Sequence, residues 1–559
     1  MHRPRLAPAG IAGVLTVAAL ALPSAAGAAY TSTVSGGNAT LTGDAAGDTI
    51  VLSESAGLVR HNRVDAPNAD PGFNSAVDFD TTVAGDQTVA AAAAVTLSAG
   101  GGDDAVTNTA PGITTTIHGD EGDDTVIASN GVDNLFGDDG NDRLVGGRGN
   151  DVFSGGAGND VMVWNNGDNN DTMNGDGNTD EVEVNGAVNA GDAFTIKPDG
   201  QRVRFDRINL VPFFIDASAE RMTVNGGGGN DNIAGADGLA PLILLTLTGG
   251  PGTDAISGGD GPDLITGGDG NDSLTGGGGD DRIVGDRGDD TMVGQGGDDT
   301  LVWNNGDNND TMDGEAGLDR TEVNGAPTAG DAFVTAPNGP RVKFDRTNLV
   351  PFTLNIGTVE SLALNTLGGD DTITASPGAG ALIGIAADGG SGNDRIDVRD
   401  DAPTLVRCGD GADSGTADGI DTVGADCEAV ERTLADTVGT AVQIGAGRVK
   451  AGGRLRKATA PVKLTCPAAE AGGCRGKLTL TSSAALRLGR TKVIAVLGSA
   501  SYRLNPGQTR TVRVKLPSTL KAVAGRRKSL SIRATAVSRD ASGNVSEASR
   551  RLSLTLPKK

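Results

Sequence analysis

Aromatic side chains are scarce: 2 Trp, 2 Tyr and 11 Phe make up 3% of 559 residues. A single large core packed with rings is therefore excluded, and a stacking platform for sugars or single-stranded nucleic acid is disfavoured. Histidine is scarcer still. His2, His61 and His118 are the only three, which leaves only His61 and His118 as histidine bases and puts no imidazole in the glycine-rich repeats to bind the softer metals. There is no HExxH zinc motif and no GxSxG nucleophile elbow. A carboxylate-only glycosidase survives this inventory, because Asp and Glu total 72. Apolar runs long enough to span a bilayer are also missing beyond the first residues.

That first stretch has a pattern of its own. Arg3 and Arg5 precede an apolar run from Ala7 to Leu22, then Pro23, Ser24 and the small residues Ala26, Gly27 and Ala28. Charged, apolar and small residues in this order predict a secretory signal over residues 1–28, cleaved after Ala28. The mature chain is then expected to be extracellular with no transmembrane segment, and surface association is one option. Four cysteines, Cys408, Cys427, Cys466 and Cys474, allow three pairings. In an oxidising compartment, proximity favours Cys408–Cys427 and Cys466–Cys474 over a zinc site, which needs closer pairs and usually histidine.

Charge divides the chain in two. From Ala441 onward there are 25 Lys and Arg against 3 Asp and Glu; the preceding residues hold 21 against 69. A segment of net −48 followed by one of +22 reads as two different physical objects.

Glycine, at 88 residues, is what the sequence has in abundance, and it is placed with a period. Read in nines from Gly119, the chain gives GDEGDDTVI, ASNGVDNLF, GDDGNDRLV, GGRGNDVFS and GGAGNDVMV. From Gly249 it gives GGPGTDAIS, GGDGPDLIT, GGDGNDSLT, GGGGDDRIV, GDRGDDTMV and GQGGDDTLV. Position four is glycine, position six aspartate and position eight apolar in all eleven units, and position one is glycine except at Ala128. This phase excludes a disordered Gly/Asp linker. It resembles the nonapeptide of RTX (haemolysin-type calcium-binding) proteins over 119–163 and 249–302, with weaker units at 226–234 and 389–397 and remnants near Asp48, Asp104 and Asp371.

The spacing carries the chemistry. Six glycine-rich residues form a turn that aims carbonyls inward. Three more form a minimal strand whose middle residue, position eight, points into the core. Two units complete a coil, so turns two units apart stack with carboxylates and carbonyls between them. Hard oxygens at flexible spacing suit calcium. The resemblance implies as ligands Asp124, Asp133, Asp142, Asp151, Asp160, Asp254, Asp263, Asp272, Asp281, Asp290 and Asp299. Alternate stacking gives about seven structural calcium sites. The one involving Asp133 departs most from the pattern, because Ala128, Ser129 and Asn130 precede it.

A longer duplication encloses the nonads. VWNNGDNNDTM begins at Val163 and again at Val302, and GDAF, FDR and NLVPF recur at the same offset of 139 residues. Residues 47–106 read as a worn third copy. The expected architecture is all-β: a right-handed parallel β-roll or solenoid over about 30–435, followed by a small antiparallel β-sandwich. In domains this gives 29–118 as a degenerate solenoid portion, 119–248 and 249–435 each as a nonad block with calcium-poor rungs, 436–460 as a joint, and 461–559 as the sandwich. KLTL, TKVIAVL, TRTVRVKL, SLSIRATAV and RLSLTL supply the sandwich strands, and ATAVSRDASGNVS resembles the last hairpin of bacterial immunoglobulin-like domains.

Three roles compete: a calcium-dependent structural or adhesive protein, a secreted glycan-acting enzyme using the repeats as a folding module, and a calcium buffer. The inventory favours the first and a chain that is not an enzyme. Trp164 and Trp303, equivalent in the long repeat, read as caps on the last nonad rather than sugar platforms. The basic segment suits an anionic envelope or extracellular polysaccharide. Nucleic acid is disfavoured as a partner by the spread of charge and the lack of rings.

Overall fold

The computed structural model describes residues 30–63, 73–75, 78–90, 93–400, 402–433 and segments between 443 and 556. The expected leader lies outside these, as does part of the expected joint. Among the described residues there is no α-helix, only one 3-10 turn at Ala379–Ala381. The chain forms two compact units, one of Met1–Asn185, Asp199–Arg207 and Val211–Thr223, the other of Gly186–Pro198, Ile208–Leu210 and Val224–Lys559.

In the first unit, parallel strands stack in two faces. One runs through Thr115–His118, Asn134–Asp139, Val152–Ala157 and Asp171–Gly177. The other runs through Ala105–Asn108, Thr125–Ile127, Arg143–Val145, Val161–Asn165 and Glu181–Asn185. The second unit repeats this. Ala255–Asp260, Ser273–Gly278, Thr291–Gly296 and Thr311–Ala316 make one face; Leu244–Pro251, Leu264–Asp269, Arg282–Arg287 and Thr300–Asn304 make the other. Register explains the nine-residue phase. Leu135 lies beside Phe153, Leu144 beside Met162, Ile265 beside Ile283 and Leu274 beside Met292, each 18 residues on. Two nonads therefore make one coil, and all eleven position-eight side chains are at most 2% exposed. Apart from its two aspartates, each nonad coil buries two such side chains and little else, so the apolar core is a thin stripe.

The calcium-poor rungs depart from the parallel scheme. Ala332–Asn338, Arg341–Arg346 and Phe352–Gly357 form an antiparallel meander whose outer strands stack in parallel on Thr372–Ala375 and Thr311–Ala316. In the first unit Arg202–Arg207 pairs antiparallel with Phe213–Ser218. An arginine pins each meander. Arg341 donates to Asp313 Oδ1 at 2.6 Å, Asn355 Oδ1 at 2.8 Å and the Met312 carbonyl at 3.3 Å. Arg202 does the same to Asn174, Asp216 and Met173. Both tryptophans are fully buried. Trp164 stacks on Phe213 and Trp303 on Phe352, each at 3.8 Å between ring centres, and each indole N–H donates to a carbonyl five residues on. Trp303→Ala is expected to cost about 3–5 kcal/mol, read as a lower melting temperature in calcium.

His61, a conceivable base on sequence grounds, is a core residue. It is 4% exposed, contacts Tyr30 Oη, Ser32 Oγ and the Phe79 carbonyl, and burial lowers its pKa to about 4.

Beyond residue 443, the described strands form two larger, mainly antiparallel sheets and a two-stranded one of Leu486–Leu488 with Thr491–Val493. Gln443–Ile444, Thr459–Thr465 and Thr509–Lys515 make one. Cys474–Ser482, Val496–Leu504, Ser529–Arg539 and Val545–Thr555 make the other, edged by Arg448–Lys450 in parallel. Val462, Leu464, Val512 and Val514 of the first sheet share a core with Leu478, Leu480, Ile532 and Leu554 of the second. Alternation leaves Lys463, Arg475, Lys477, Arg503, Arg513 and Lys515 exposed on both sheets. Disulfides join Cys408 to Cys427 and Cys466 to Cys474, the pairing proximity favoured.

Candidate metal centre

All eleven predicted aspartates lie in stacks, and each is at most 3% exposed. Within a stack, one carboxylate oxygen is used by the protein. The N–H of Asp124 donates to Asp142 Oδ1, and that of Asp142 to Asp160 Oδ1; Asp133 donates to Asp151, Asp254 to Asp272, Asp272 to Asp290, Asp263 to Asp281 and Asp281 to Asp299, all at 2.8–2.9 Å. The other oxygen, Oδ2, is buried in all eleven with no hydrogen-bond partner. A buried anion without a partner costs far more than a neutral polar group.

The glycines show what surrounds that oxygen. A Cβ on Gly119 would meet Asp124 Oδ2 at 2.4 Å and the Gly137 carbonyl oxygen at 2.7 Å; on Gly258 it would meet Asp263 Oδ2 at 2.1 Å and the Gly276 oxygen at 2.6 Å. Position one must therefore be glycine where Oδ2 and a carbonyl converge. Position four is tighter still. Gly270, at φ +152°, would carry its Cβ 1.3 Å from the Gly252 oxygen. Gly270→Ala is expected to destabilise the loaded block by about 3 kcal/mol or more. Gly278→Ala, three residues into its own turn, meets nothing closer than 3.8 Å and is expected to stay within about 1 kcal/mol. Thermal melts of the two variants in calcium check the contrast.

Electrostatics agree with the geometry. Burial, reinforced by neighbouring carboxylates, pushes Asp263 up to about 8 and Asp124, Asp151, Asp254 and Asp290 to about 7. Asp142, Asp160, Asp281 and Asp299 rise to about 6 for the same first reason. These sites are built for a cation and are poor hosts for bare carboxylates. The donors are oxygens only, which fits calcium and gives zinc or copper none of its preferred nitrogen or sulfur. Bound there, calcium supplies the positive charge that lets consecutive coils carry ionised aspartates against each other.

A family model for the RTX calcium-binding nonapeptide repeat, in four copies, matches residues 115–144, 127–162, 136–169, 248–283, 266–301 and 275–308. Both blocks are RTX calcium-binding repeats. Comparison with curated proteins gives no match. The RTX pattern nevertheless continues structurally past both blocks. Asp151 donates to Asp171, Asp160 to Asp180, Asp290 to Asp310 and Asp299 to Asp319, and Oδ2 of Asp180, Asp310 and Asp319 is again buried and unpartnered. Sequence reading missed these four because the coil holding NNGDNND is 20 residues long, which breaks the phase. GDGNTDEVE and GEAGLDRTE then resume it with Asn178 at position four or Thr321 at position eight. A further stack, Asp371, Asp394 and Asp413, has the same N–H to Oδ1 contacts and the same unpartnered Oδ2 atoms. Its signal was faint: Thr366 and Cys408 stand where glycine is expected.

The Asp133 step is the start of its stack. Thr115 occupies the preceding position, and its N–H and hydroxyl both donate to Asp133 Oδ1 at 2.6 Å.

Proposed function

We propose that this is a secreted structural or adhesive protein whose RTX coils are held together by several structural calcium ions. The observation carrying the reading is the run of buried, unpartnered Oδ2 atoms through both blocks. Seven gaps between successive aspartates fall inside the nonads, and four more lead to Asp171, Asp180, Asp310 and Asp319. An ion in a gap is shared by two coils, so binding free energy becomes folding free energy.

Export is supported by the N-terminal charged–apolar–small pattern and by two disulfides, which fit an oxidising compartment. No described helix is long and apolar enough to cross a membrane. The non-enzymatic reading draws support from the fate of its scarce functional side chains: both tryptophans and His61 are spent on packing.

The partner we assign is an acidic polysaccharide, held by the basic sandwich. Its exposed Lys463, Arg475, Lys477, Arg503, Arg513 and Lys515 alternate with core residues on both sheets, giving a broad cationic surface rather than a groove. Co-sedimentation of the full chain with an acidic polysaccharide is expected to weaken steeply from about 50 to about 500 mM salt, as added ions screen the cationic surface. Replacing those six residues by Gln is expected to abolish it. Retention unchanged by the substitutions but lost in chelator would instead place the polysaccharide on the calcium coils.

A further inference from the structure

One group of side chains outside the aspartate stacks brings nitrogen and oxygen ligands together. His118 ends the strand Thr115–His118, beside Phe136 of Asn134–Asp139. Its ring lies flat on Phe136, with centroids 4.4 Å apart and planes 5° apart, so its plane is fixed by packing. Nδ1 lies 2.8 Å from Asp138 Oδ2. Asp120 stands one coil before Asp138, at the same position two of its nonad, and its backbone carbonyl accepts from the Asp139 N–H. Asp120 Oδ2 also accepts from the Ser98 hydroxyl and, at 3.1 Å, from the Gly100 N–H. One ligand atom from each of His118, Asp120 and Asp138 lies within 4.8 Å of the others.

We propose that His118, Asp120 and Asp138 form a site for one zinc-class divalent ion, separate from the calcium stacks. Ligands sharing such an ion at about 2.0–2.2 Å sit roughly 3–4 Å from one another, so small side-chain rotations close this triad. The imidazole sets the selectivity. Calcium prefers oxygen, whereas borderline ions take imidazole with carboxylate, and the stacks offer oxygen alone. The setting differs too: the stack carboxylates are buried, but His118 and Asp138 keep 33% and 37% of their side-chain surface. Three protein ligands at an accessible site leave a coordination position for water or for a carboxylate or imidazole from outside. Binding replaces the contact between His118 Nδ1 and Asp138 Oδ2 with bonds to the ion and ties two successive coils at the leading edge of the first block.

The test uses the full chain saturated with calcium and titrated with Zn2+ by calorimetry and with Co2+ by visible absorption. The expected result is one saturable equivalent, with a cobalt spectrum showing nitrogen ligation. His118→Gln and Asp138→Asn are each expected to weaken it at least tenfold while leaving the calcium-loaded circular dichroism unchanged. Asn tolerates the left-handed backbone at 138, where φ is +69°, so the second variant keeps its fold. Uptake equal in wild type and His118→Gln, uptake suppressed by raising calcium, or no uptake at all would each overturn the proposal and leave an ordinary imidazole–carboxylate pair.

Discussion

Depleted of calcium, the chain is expected to gain β structure as pH falls from about 8 to about 4, and to lose it as pH rises again. The sign follows from the direction of the shifts. Burial raises the folded-state pKa of the stacked aspartates, to about 6 at Asp142, about 7 at Asp124 and about 8 at Asp263, against roughly 3.9 in an unfolded chain. A raised folded pKa means the native state holds the proton more tightly. The stabilisation is therefore fully present below about pH 4 and is lost as pH climbs through the folded values. Protonation removes the charge that burial penalises and turns an unpartnered acceptor into a donor. With calcium the trend reverses, because the ligands must be ionised to bind. Circular dichroism of resin-depleted protein from pH 8 to 4, beside a calcium-loaded series, measures both limbs. Two parallel curves would mean that the buried carboxylates do not govern folding.

The second large effect changes sign with the ion. Asp281 sits mid-stack, accepting from the Asp263 N–H and donating to Asp299. Asp281→Asn keeps an oxygen for the Asp263 N–H and removes one charge. In calcium the variant is expected to be clearly destabilised, because two neighbouring gaps lose a ligand. A tenfold weakening of each is worth about 1.4 kcal/mol. Without calcium the same change removes a buried negative charge, since burial, reinforced by Asp299 and Asp280, holds the Asp281 carboxyl up at about 6. There Asn is expected to be neutral or stabilising. Melting curves of both proteins in both conditions test the inversion; a loss of the same size with and without calcium would make Asp281 an ordinary hydrogen-bonding residue.

Much of this was legible in the sequence, for a physical reason. A coil of two nonads is set by local rules: glycine where a Cβ would strike a carbonyl, one inward apolar residue, and one aspartate at a fixed offset. Phase alone therefore placed Leu135 over Phe153 and all eleven aspartates in stacks. The reading failed where the coil length changed. Asp171 and Asp310 follow a two-residue expansion, and Asp180 and Asp319 lie in units whose position four or eight is irregular, so no periodic signal marked them. The antiparallel pairings at 202–218 and 332–357 leave no mark in the nine-residue phase. Their pairing depends on the long-range clamps of Arg202 and Arg341, which periodicity does not reveal. The zinc-class triad was hidden for a related reason: His118 and Asp138 are 20 residues apart and meet only because coils stack.

The most direct measurement is hydrogen–deuterium exchange of the full chain during a calcium titration at neutral pH, read over residues 119–180 and 249–319. The stacked-aspartate account predicts fast exchange in both stretches in chelator and strong, cooperative protection as calcium is added, with Asp171, Asp180, Asp310 and Asp319 protected together with the nonads. Equal protection in both stretches with and without calcium would contradict it.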